Sequence, residues 1–225
     1  MFSLTHRFLF VHVPKTAGNA IQGALSAYAD DQIVTLAAHQ DGVERFEVRS
    51  SKYNTVKHSS LSDYQREYGG DLLERLFKFT CVRNPWDRCI SHYFSPHRGN
   101  VTWDRVAFLQ FVAAEVKPLQ HYLGRDASAD RALSKCLDDM NAVIRYESLQ
   151  SDFDAVCASI GIPLVVLPRR NASQRGNYLD YYDTESAAHI GDMFAQEIQH
   201  FGYSIPGYNA KESTNSSNKV RATTP

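Results

Sequence analysis

Cysteine patterns typical of metal sites and redox motifs are missing from this sequence. Its four cysteines, Cys81, Cys89, Cys136 and Cys157, form no CxxC pair and show none of the spacings of a zinc site. We therefore expect no bound metal ion and no disulfide framework. Such cysteines are typically buried or half-buried free thiols, which fits a reducing compartment.

An excess of positive charge is missing as well. The 24 Lys and Arg residues nearly balance the 25 Asp and Glu residues, and the formal net charge is -1 at pH 7. A protein that binds nucleic acid through bulk electrostatics carries a large basic excess, so we expect no nucleic-acid partner. Any phosphate must be recognised locally, by a few well-placed cations.

Long hydrophobic runs are also lacking. The first apolar stretch, residues 8–13, is far too short to span a membrane and leads directly into a turn that contains lysine. No signal peptide is readable. We therefore expect a cytoplasmic protein without a transmembrane segment.

The residues that are present suit an α/β domain. A chain of 225 residues, 43% of them hydrophobic, can bury a packed core. We place this domain at residues 1–208, with a helical insert at about 97–140. Residues 209–225 are rich in Ser, Thr, Asn and Lys, and we expect a disordered tail there.

Apolar runs and their periodicity predict the order of the elements. Buried parallel strands are expected at residues 8–13, 77–82 and 142–145, with a further short strand at 33–37. Helical spacing marks residues 18–28, 61–76, 85–93, 106–116, 153–160 and 185–200, with Ser62 as N-cap of the second helix and Gly161 as C-cap of the fifth. Residues 39–57 show no clear period. The expected fold is a P-loop-like, three-layer α/β domain with a central parallel sheet flanked by helices.

Two short segments carry most of the functional information. Residues 14–19, with the sequence PKTAGN, follow the first strand, and residues 83–88, with the sequence RNPWDR, follow the strand at 77–82. In both places an apolar strand ends in a cationic turn before a helix, which is how α/β proteins build anion sites. Two such sites suggest a ligand with phosphates at both ends.

The first turn differs from a nucleoside-triphosphate P-loop. In that motif the lysine follows the second glycine, whereas here Lys15 precedes Gly18, and the hydroxyl that binds magnesium is missing. We expect the backbone amides of residues 16–20 to cradle a phosphate, with Lys15 beside it. In the second turn, Arg83 can grip a phosphate and Ser91 can donate a hydrogen bond to it.

Both turns resemble motifs of one enzyme family. Residues 14–19 resemble the 5′-phosphosulfate loop of the sulfotransferases that use 3′-phosphoadenosine 5′-phosphosulfate (PAPS), and residues 77–93 are similar to their 3′-phosphate motif. Residues 143–149, 171–175 and 201–203 resemble further segments of the family. The resemblance covers about residues 8–205 and is strongest to the carbohydrate, Golgi-type branch and its bacterial relatives.

The resemblance implies that PAPS binds across the carboxyl edge of the sheet. By match, the 5′-phosphosulfate is held by Lys15, Thr16, Ala17, Gly18, Asn19 and Ala20. Arg83 and Ser91 would hold the 3′-phosphate, and Tyr146 would also contact the nucleotide. Asn171, Ser173 and Arg175 would close over it.

Sulfuryl transfer to a hydroxyl needs a cation and a base. The reaction resembles phosphoryl transfer, with in-line attack and charge moving onto the leaving oxygen. We assign Lys15 to stabilise that oxygen without a divalent metal, and His58 to take the proton of the acceptor hydroxyl. His39, Glu44 and Glu47 are alternative bases. We expect His12 to be a core residue, and His92 to pack or to bond a carbonyl.

The acceptor leaves several readings open. The expected function is sulfation of a hydroxyl on a carbohydrate or glycoconjugate, with residues of the insert lining the acceptor site: His97, Arg98, Trp103, Lys117, His121 and Tyr122. Alternatives are sulfation of a small molecule or protein, a P-loop-like kinase, and an inactive nucleotide-binding relative. The oligomeric state is not encoded in any recognisable pattern.

Overall fold

A computed structural model describes residues 1–36, 44–126, 131–168 and 175–206. The described ranges contain six strands: β1 (Phe2–Ser3), β2 (Phe8–Val11), β3 (Gln32–Thr35), β4 (Phe46–Arg49), β5 (Phe77–Val82) and β6 (Ala142–Arg145). Their helices are α1 (Gly18–Leu25), α2 (Leu61–Tyr68), α3 (Gly70–Glu74), α4 (Pro85–Tyr93), α5 (Arg105–Glu115), α6 (Leu119–Leu123), α7 (Leu133–Leu137), α8 (Leu149–Ile160), α9 (Thr184–Met193) and α10 (Ala195–Phe201). The expected tail, 209–225, lies outside the described residues.

The central sheet has four strands in the order β1-β2-β5-β6. β5 pairs in parallel with both β2 and β6, and β1 adds an antiparallel edge that the sequence did not predict. Every residue of β2 is buried, as expected for a strand covered on both faces. The carboxyl ends of β2, β5 and β6 therefore meet at one edge of the sheet.

Helices cover both faces of this sheet, so the predicted three-layer α/β architecture is confirmed. Phe8 and Phe10 of β2 pack into a core with α1 and α8. Their neighbours Leu9 and Val11 point to the opposite face and pack with α2 and α6. This alternation follows from the pleat of a strand, whose successive side chains leave opposite faces.

The short strand expected at 33–37 belongs to another sheet. β3 pairs antiparallel with β4, and the two form a separate two-stranded sheet; residue 37 lies outside the described residues. β4 falls in the stretch without a recognised period, although its buried Phe46 and Val48 alternate with Glu47 and Arg49. Four residues of alternation are too few to stand out from a polar segment.

Two of the predicted helices are each divided in two. The helix expected at 61–76 breaks at Gly69, whose φ of 76° no residue with a side chain adopts easily, and that expected at 185–200 breaks at Phe194. Ser62 is not the N-cap of α2. That residue is Ser60, whose hydroxyl accepts the N–H of Asp63 at 3.2 Å while the Asp63 carboxylate accepts the N–H of Ser60.

Other boundaries also differ from the expectations. The first strand ends at Val11 and α1 ends at Leu25, both earlier than predicted. α8 begins at Leu149, four residues earlier, and ends at Gly161 in the left-handed C-cap that was predicted. The strands at β5 and β6 and helix α4 match their predicted bounds.

The insert contributes to the core. α5 packs against α4 and α9 around the buried Trp86, whose indole N–H donates to the carbonyl of Ala187 at 2.9 Å. Arg88 is buried and faces the buried Glu197 at 3.6 Å. Its guanidinium also donates to the carbonyl of Lys117, which follows the end of α5.

Two further features of the structure are the state of its cysteines and the length of its helices. All four cysteines are buried free thiols, as predicted. No helix of the described ranges is long and apolar enough to cross a bilayer.

Candidate functional site

A cavity of about 710 Å³ opens at the edge where β2, β5 and β6 end. It brings together ten of the predicted site residues: Lys15, Ala17, Gly18, Asn19, Ala20, His58, Arg83, Ser91, Tyr146 and Arg175. Residues from five separate stretches of sequence thus meet in one place. This convergence is the strongest structural argument that the cavity is the functional site.

Three predicted residues stand apart from this set. The side chain of Thr16 is fully buried, and its hydroxyl donates to the carbonyl of Val13 at 2.8 Å. Thr16 therefore secures the first turn from below, and only its backbone is available to a ligand. Asn171 and Ser173 lie outside the described residues.

The first turn has an unusual backbone conformation. Lys15 and Ala17 have φ values of 69° and 72°, in the left-handed region that residues other than glycine rarely adopt. Left-handed residues at alternate positions turn successive backbone amides toward one side and form a concavity that can bind an anion. Ala17 is also the N-cap of α1 and offers no side-chain hydrogen bond to it. The N–H of Ala20 already donates to the Ala17 carbonyl at 3.0 Å, so the amides of Gly18 and Asn19 are those left for a ligand at the positive end of the helix.

Gly18 is required by the close approach of a histidine. A Cβ at this position would lie 1.8 Å from Nε2 of His12, well inside any real contact. His12 was expected in the core, and its ring is indeed buried, but it also lines the cavity. The imidazole thus forms the floor under the first turn.

Arg83 connects the two turns. Its Nε and Nη2 bind the Asp87 carboxylate at 2.8 and 2.7 Å, and its Nη1 donates to the Lys15 carbonyl at 3.1 Å. The guanidinium plane lies 3.8 Å from the ring centre of Tyr146, and Arg175 also contacts Asp87. Asp87 therefore occupies the Nε–Nη2 edge of Arg83, an edge that could otherwise bind a phosphate through two hydrogen bonds. The remaining N–H groups of Nη1 and Nη2 are left for a ligand.

The matched segments 143–149 and 201–203 brace the second turn. Glu147 accepts the backbone N–H of Asn84 at 2.8 Å and the hydroxyl of Tyr203 at 3.2 Å. Arg145 in turn donates to the carbonyl of Phe201 at 3.0 Å. These contacts hold the second turn from outside the cavity. They give segments 143–149 and 201–203, which are distant in sequence, a shared structural role.

Two lysines and three arginines give the cavity its positive charge: Lys15, Lys57, Arg83, Arg98 and Arg175. The ammonium of Lys15 donates to Ser95 at 3.2 Å, and burial, with nearby Arg83, Lys57 and Arg175, lowers its pKa to about 8. Burial also lowers the pKa of Lys57 to about 8, although Glu47 and Glu44 oppose the shift. Desolvated cations of like sign in one cavity favour an anionic ligand, which would restore their pKa values.

His58 is held as a neutral imidazole. Its Nδ1 lies 3.1 Å from the carbonyl oxygen of His12, and since a carbonyl only accepts, Nδ1 carries the proton. Nε2 then keeps its lone pair. Burial lowers the pKa of His58 below its usual value, although the bond to His12 opposes this, so the imidazole is uncharged at neutral pH.

The other residues weighed for the reaction occupy mixed positions. His92 lines the cavity and packs edge-on against Phe111, and burial lowers its pKa to about 3. Glu44 and Glu47 are not among the lining residues, and His39 lies outside the described ranges. In the part of the chain that the structure describes, no three His, Cys, Asp or Glu side chains could together hold a metal ion.

Of the six insert residues proposed for the acceptor site, two line the cavity and four do not. His97 and Arg98 line the cavity, next to Ser95. Trp103 packs among aromatic side chains such as Phe94 and Tyr181. The remaining three residues do not line the cavity: Lys117, His121 and Tyr122.

Sequence reasoning missed two lining residues that matter for charge and geometry, Lys57 and Ser95. Lys57 directly precedes the proposed base, and Ser95 follows the predicted end of α4. The signal available in the sequence was that each residue lies next to a feature already recognised, Lys57 beside His58 and Ser95 beside the end of α4.

Comparison with known proteins places the chain in a family. No curated protein and no solved structure matches it, but the model of the sulfotransferase family matches residues 1–204. That match includes both turns, His58 and the bracing segments. The chain therefore belongs to the sulfotransferase family, enzymes that transfer a sulfuryl group to a hydroxyl acceptor, usually from PAPS.

Proposed function

We propose that this enzyme transfers the sulfuryl group of PAPS to a hydroxyl of a carbohydrate or glycoconjugate, with Lys15 and His58 as the reacting side chains. One observation carries the proposal: a desolvated ammonium and an imidazole with an unprotonated Nε2 line the same cavity. The first suits a leaving phosphate, and the second suits an attacking hydroxyl.

The donor would extend between the two turns. In this arrangement the 5′-phosphosulfate lies on the backbone amides of residues 16–20, beside Lys15. The 3′-phosphate is bound by Arg83 and Ser91, while Tyr146 supports the Arg83 guanidinium. Arg175, with Asn171 and Ser173, would lie over the nucleotide. The cationic lining and the available amides of α1 support this placement.

The reaction then proceeds by in-line displacement. Nε2 of His58 accepts the proton of the acceptor hydroxyl as its oxygen forms a bond to sulfur. The bond between sulfur and the bridging phosphate oxygen breaks, and its electron pair stays on that oxygen. Lys15 stabilises the developing charge, and the products are the sulfate ester and 3′-phosphoadenosine 5′-phosphate (PAP).

The acceptor is proposed as a carbohydrate on the resemblance to the carbohydrate branch. The polar lining residues His97 and Arg98 support a hydroxyl-rich acceptor. The four buried free thiols support a reducing compartment, and so a cytoplasmic location. A screen of sugars, phenols and peptides with PAPS would separate these acceptor classes.

Nucleotide selectivity tests the donor site. PAP at about a hundred times its dissociation constant should add roughly 2.7 kcal/mol of stability, seen as a rise in Tm of roughly 5–10 °C. AMP lacks the 3′-phosphate and should raise Tm far less, and so should ATP with magnesium. Ser91→Ala should narrow the difference between PAP and AMP. Equal shifts with PAP and AMP would contradict the assignment of Arg83 and Ser91.

Gly18→Ala should damage the donor site. The added Cβ would overlap the His12 imidazole, so either the ring or the first turn must move. Overpacking of this kind costs about 1–3 kcal/mol, and displaced amides would weaken PAP binding. Thermal unfolding and PAP titration measure the two effects.

Gly70→Ala is the matched control, because its Cβ meets only the end of the Gln65 side chain, at 3.3 Å. Normal PAP affinity in Gly18→Ala would mean that the first turn does not hold the donor.

A further inference from the structure

We infer that Glu47 on β4 is a positioning residue that sets the orientation of His58, an inference that rests on the role proposed above for His58. Glu47 was considered as an alternative base. Its carboxylate does not line the cavity, so it has no access to a bound acceptor. It acts instead on the backbone of the loop that carries His58.

The contact is direct and short. Oε1 of Glu47 accepts the backbone N–H of Lys57 at 2.6 Å and that of Val48 at 2.8 Å. Hydrogen bonds from backbone amides to a carboxylate are charge-assisted and about twice as strong as neutral ones. One carboxylate oxygen thus ties the residue before His58 to the two-stranded sheet.

β4 also holds the side chain of Lys57. The ammonium donates to the Phe46 carbonyl at 3.2 Å and lies 3.7 Å from the centre of the Phe46 ring. The same strand therefore binds both the backbone N–H and the side chain of Lys57. The two-stranded sheet, whose strands do not pair with the central sheet, thus contacts the loop beside the cavity directly.

The loop is also held independently of β4, by a contact that spans His58 and by a helix cap that follows it. Val56 donates its N–H to the hydroxyl of Ser59 at 2.9 Å, and Ser60 caps α2. His58 therefore lies between an anchor at Lys57 and an anchor at the start of the helix. Only the first of these depends on a side chain from another element, and that side chain is Glu47.

The consequence is that Glu47 fixes the hydrogen bond that selects the His58 tautomer. The 3.1 Å contact from Nδ1 to the His12 carbonyl needs the backbone of residues 57–58 in its present place. If the loop shifts, that contact lengthens and Nε2 no longer points reliably at the acceptor. A misplacement of about 1 Å in a reacting group costs on the order of 100-fold in rate.

Rates in two variants test the inference. Glu47→Ala should lower kcat by about 10–100-fold, while KM for PAPS and the Kd of PAP stay within about threefold of wild type. Glu47→Gln keeps an oxygen that can accept the Lys57 N–H, and should recover most of kcat. A kcat for Glu47→Ala within twofold of wild type would overturn the inference, as would Glu47→Gln falling as far as Glu47→Ala.

The matched control is Glu67→Ala. Glu67 also binds this loop through a carboxylate, accepting the N–H of Asn54 at 2.9 Å, but three residues before Lys57. We expect kcat to remain near wild type in Glu67→Ala. A loss equal to that of Glu47→Ala would mean that loop stability in general is responsible, and would also overturn the inference.

A spectroscopic readout separates this inference from the proposed function. Nitrogen-15 imidazole NMR, with the His58 signals identified by their loss in His58→Ala, should show the proton on Nδ1 in wild type. In Glu47→Ala we expect the Nε2-protonated tautomer to become populated. An unchanged tautomer in Glu47→Ala would overturn the inference whatever the rates. Full activity in His58→Ala would instead overturn the proposed role of His58 as the base, and the NMR result alone would then decide whether Glu47 orients the imidazole.

Discussion

Lys15→Ala should lower kcat by about 10²–10³-fold and leave the fold intact. This is the typical cost of removing one group that stabilises developing negative charge in a transition state. The Lys15 ammonium is half-buried and donates to Ser95 in a cavity lined by other cations. Its removal also relieves repulsion, so stability should not fall. Single-turnover rates with PAPS, with Tm as a check on folding, measure both effects.

Lys57→Gln is the control for charge. It removes one positive charge from the same cavity, keeps most of the side-chain stem and the backbone N–H that Glu47 accepts, and leaves the first turn unchanged, so we expect a smaller loss of kcat, within about tenfold. If Lys15→Ala turned over at the wild-type rate, or if both variants lost the same amount, Lys15 would not be the group on the leaving phosphate.

The pH profile gives an independent signature of Lys15. Its pKa of about 8 means that the free enzyme loses the ammonium as pH rises through that value. The neutral amine cannot stabilise the leaving oxygen, so kcat/KM should fall above about pH 8. Lys15→Arg stays charged and should move this limb to higher pH. Lys57→Arg should leave it in place, although the pKa of Lys57 is also about 8.

The three parallel strands of the central sheet and both turns could be predicted because their signals are local. β2 and β5 are short, mainly apolar runs bounded by polar turns, and the layers on the two faces of the sheet bury nearly all of their residues, whereas β6 at the edge fully buries only Ile144. Pro85 fixes the start of α4 at the predicted residue, because its ring suits the first turn of a helix. The residues proposed to bind anions follow strand ends, so the sheet itself brings them together.

The parts that could not be predicted depend on contacts between distant segments. Nothing near Glu47 in the sequence shows that it reaches Lys57, because the pairing of β3 with β4 places it there. The position of His12 beneath Gly18 depends on how the strand meets the helix. The cap of α2 is different, because its signal is local: the reciprocal bonds between Ser60 and Asp63 need a spacing of three residues, and that pattern is present in the sequence.

The pairing of Arg83 with Asp87 also changes the expected role of the second turn. The sequence predicts a guanidinium open to phosphate, but Arg83 lies in the turn just before α4, and Asp87 in the first turn of that helix meets its guanidinium at 2.7 Å. Arg83 also holds the Lys15 carbonyl. A phosphate bound at the second turn would therefore act on the geometry of the first, through one side chain.

His58→Ala should lower kcat by about 10²–10⁴-fold while PAP affinity stays within about twofold of wild type. A positioned base contributes a factor of this size, and the imidazole has no assigned contact with the nucleotide. Because burial lowers the pKa of His58, the wild-type kcat/KM should rise with pH along a limb below 6.5. That limb should vanish in the variant. Steady-state rates against pH, with PAP titration, measure these changes.

His92→Ala is the matched control, because His92 is a second imidazole that lines the cavity and burial keeps its pKa low as well. We expect it to retain most of kcat. The space left in His58→Ala should also admit free imidazole, which would restore part of the rate with a pH dependence set by its own pKa. Full activity in His58→Ala, or a larger loss in His92→Ala, would mean that the acceptor proton goes to another group.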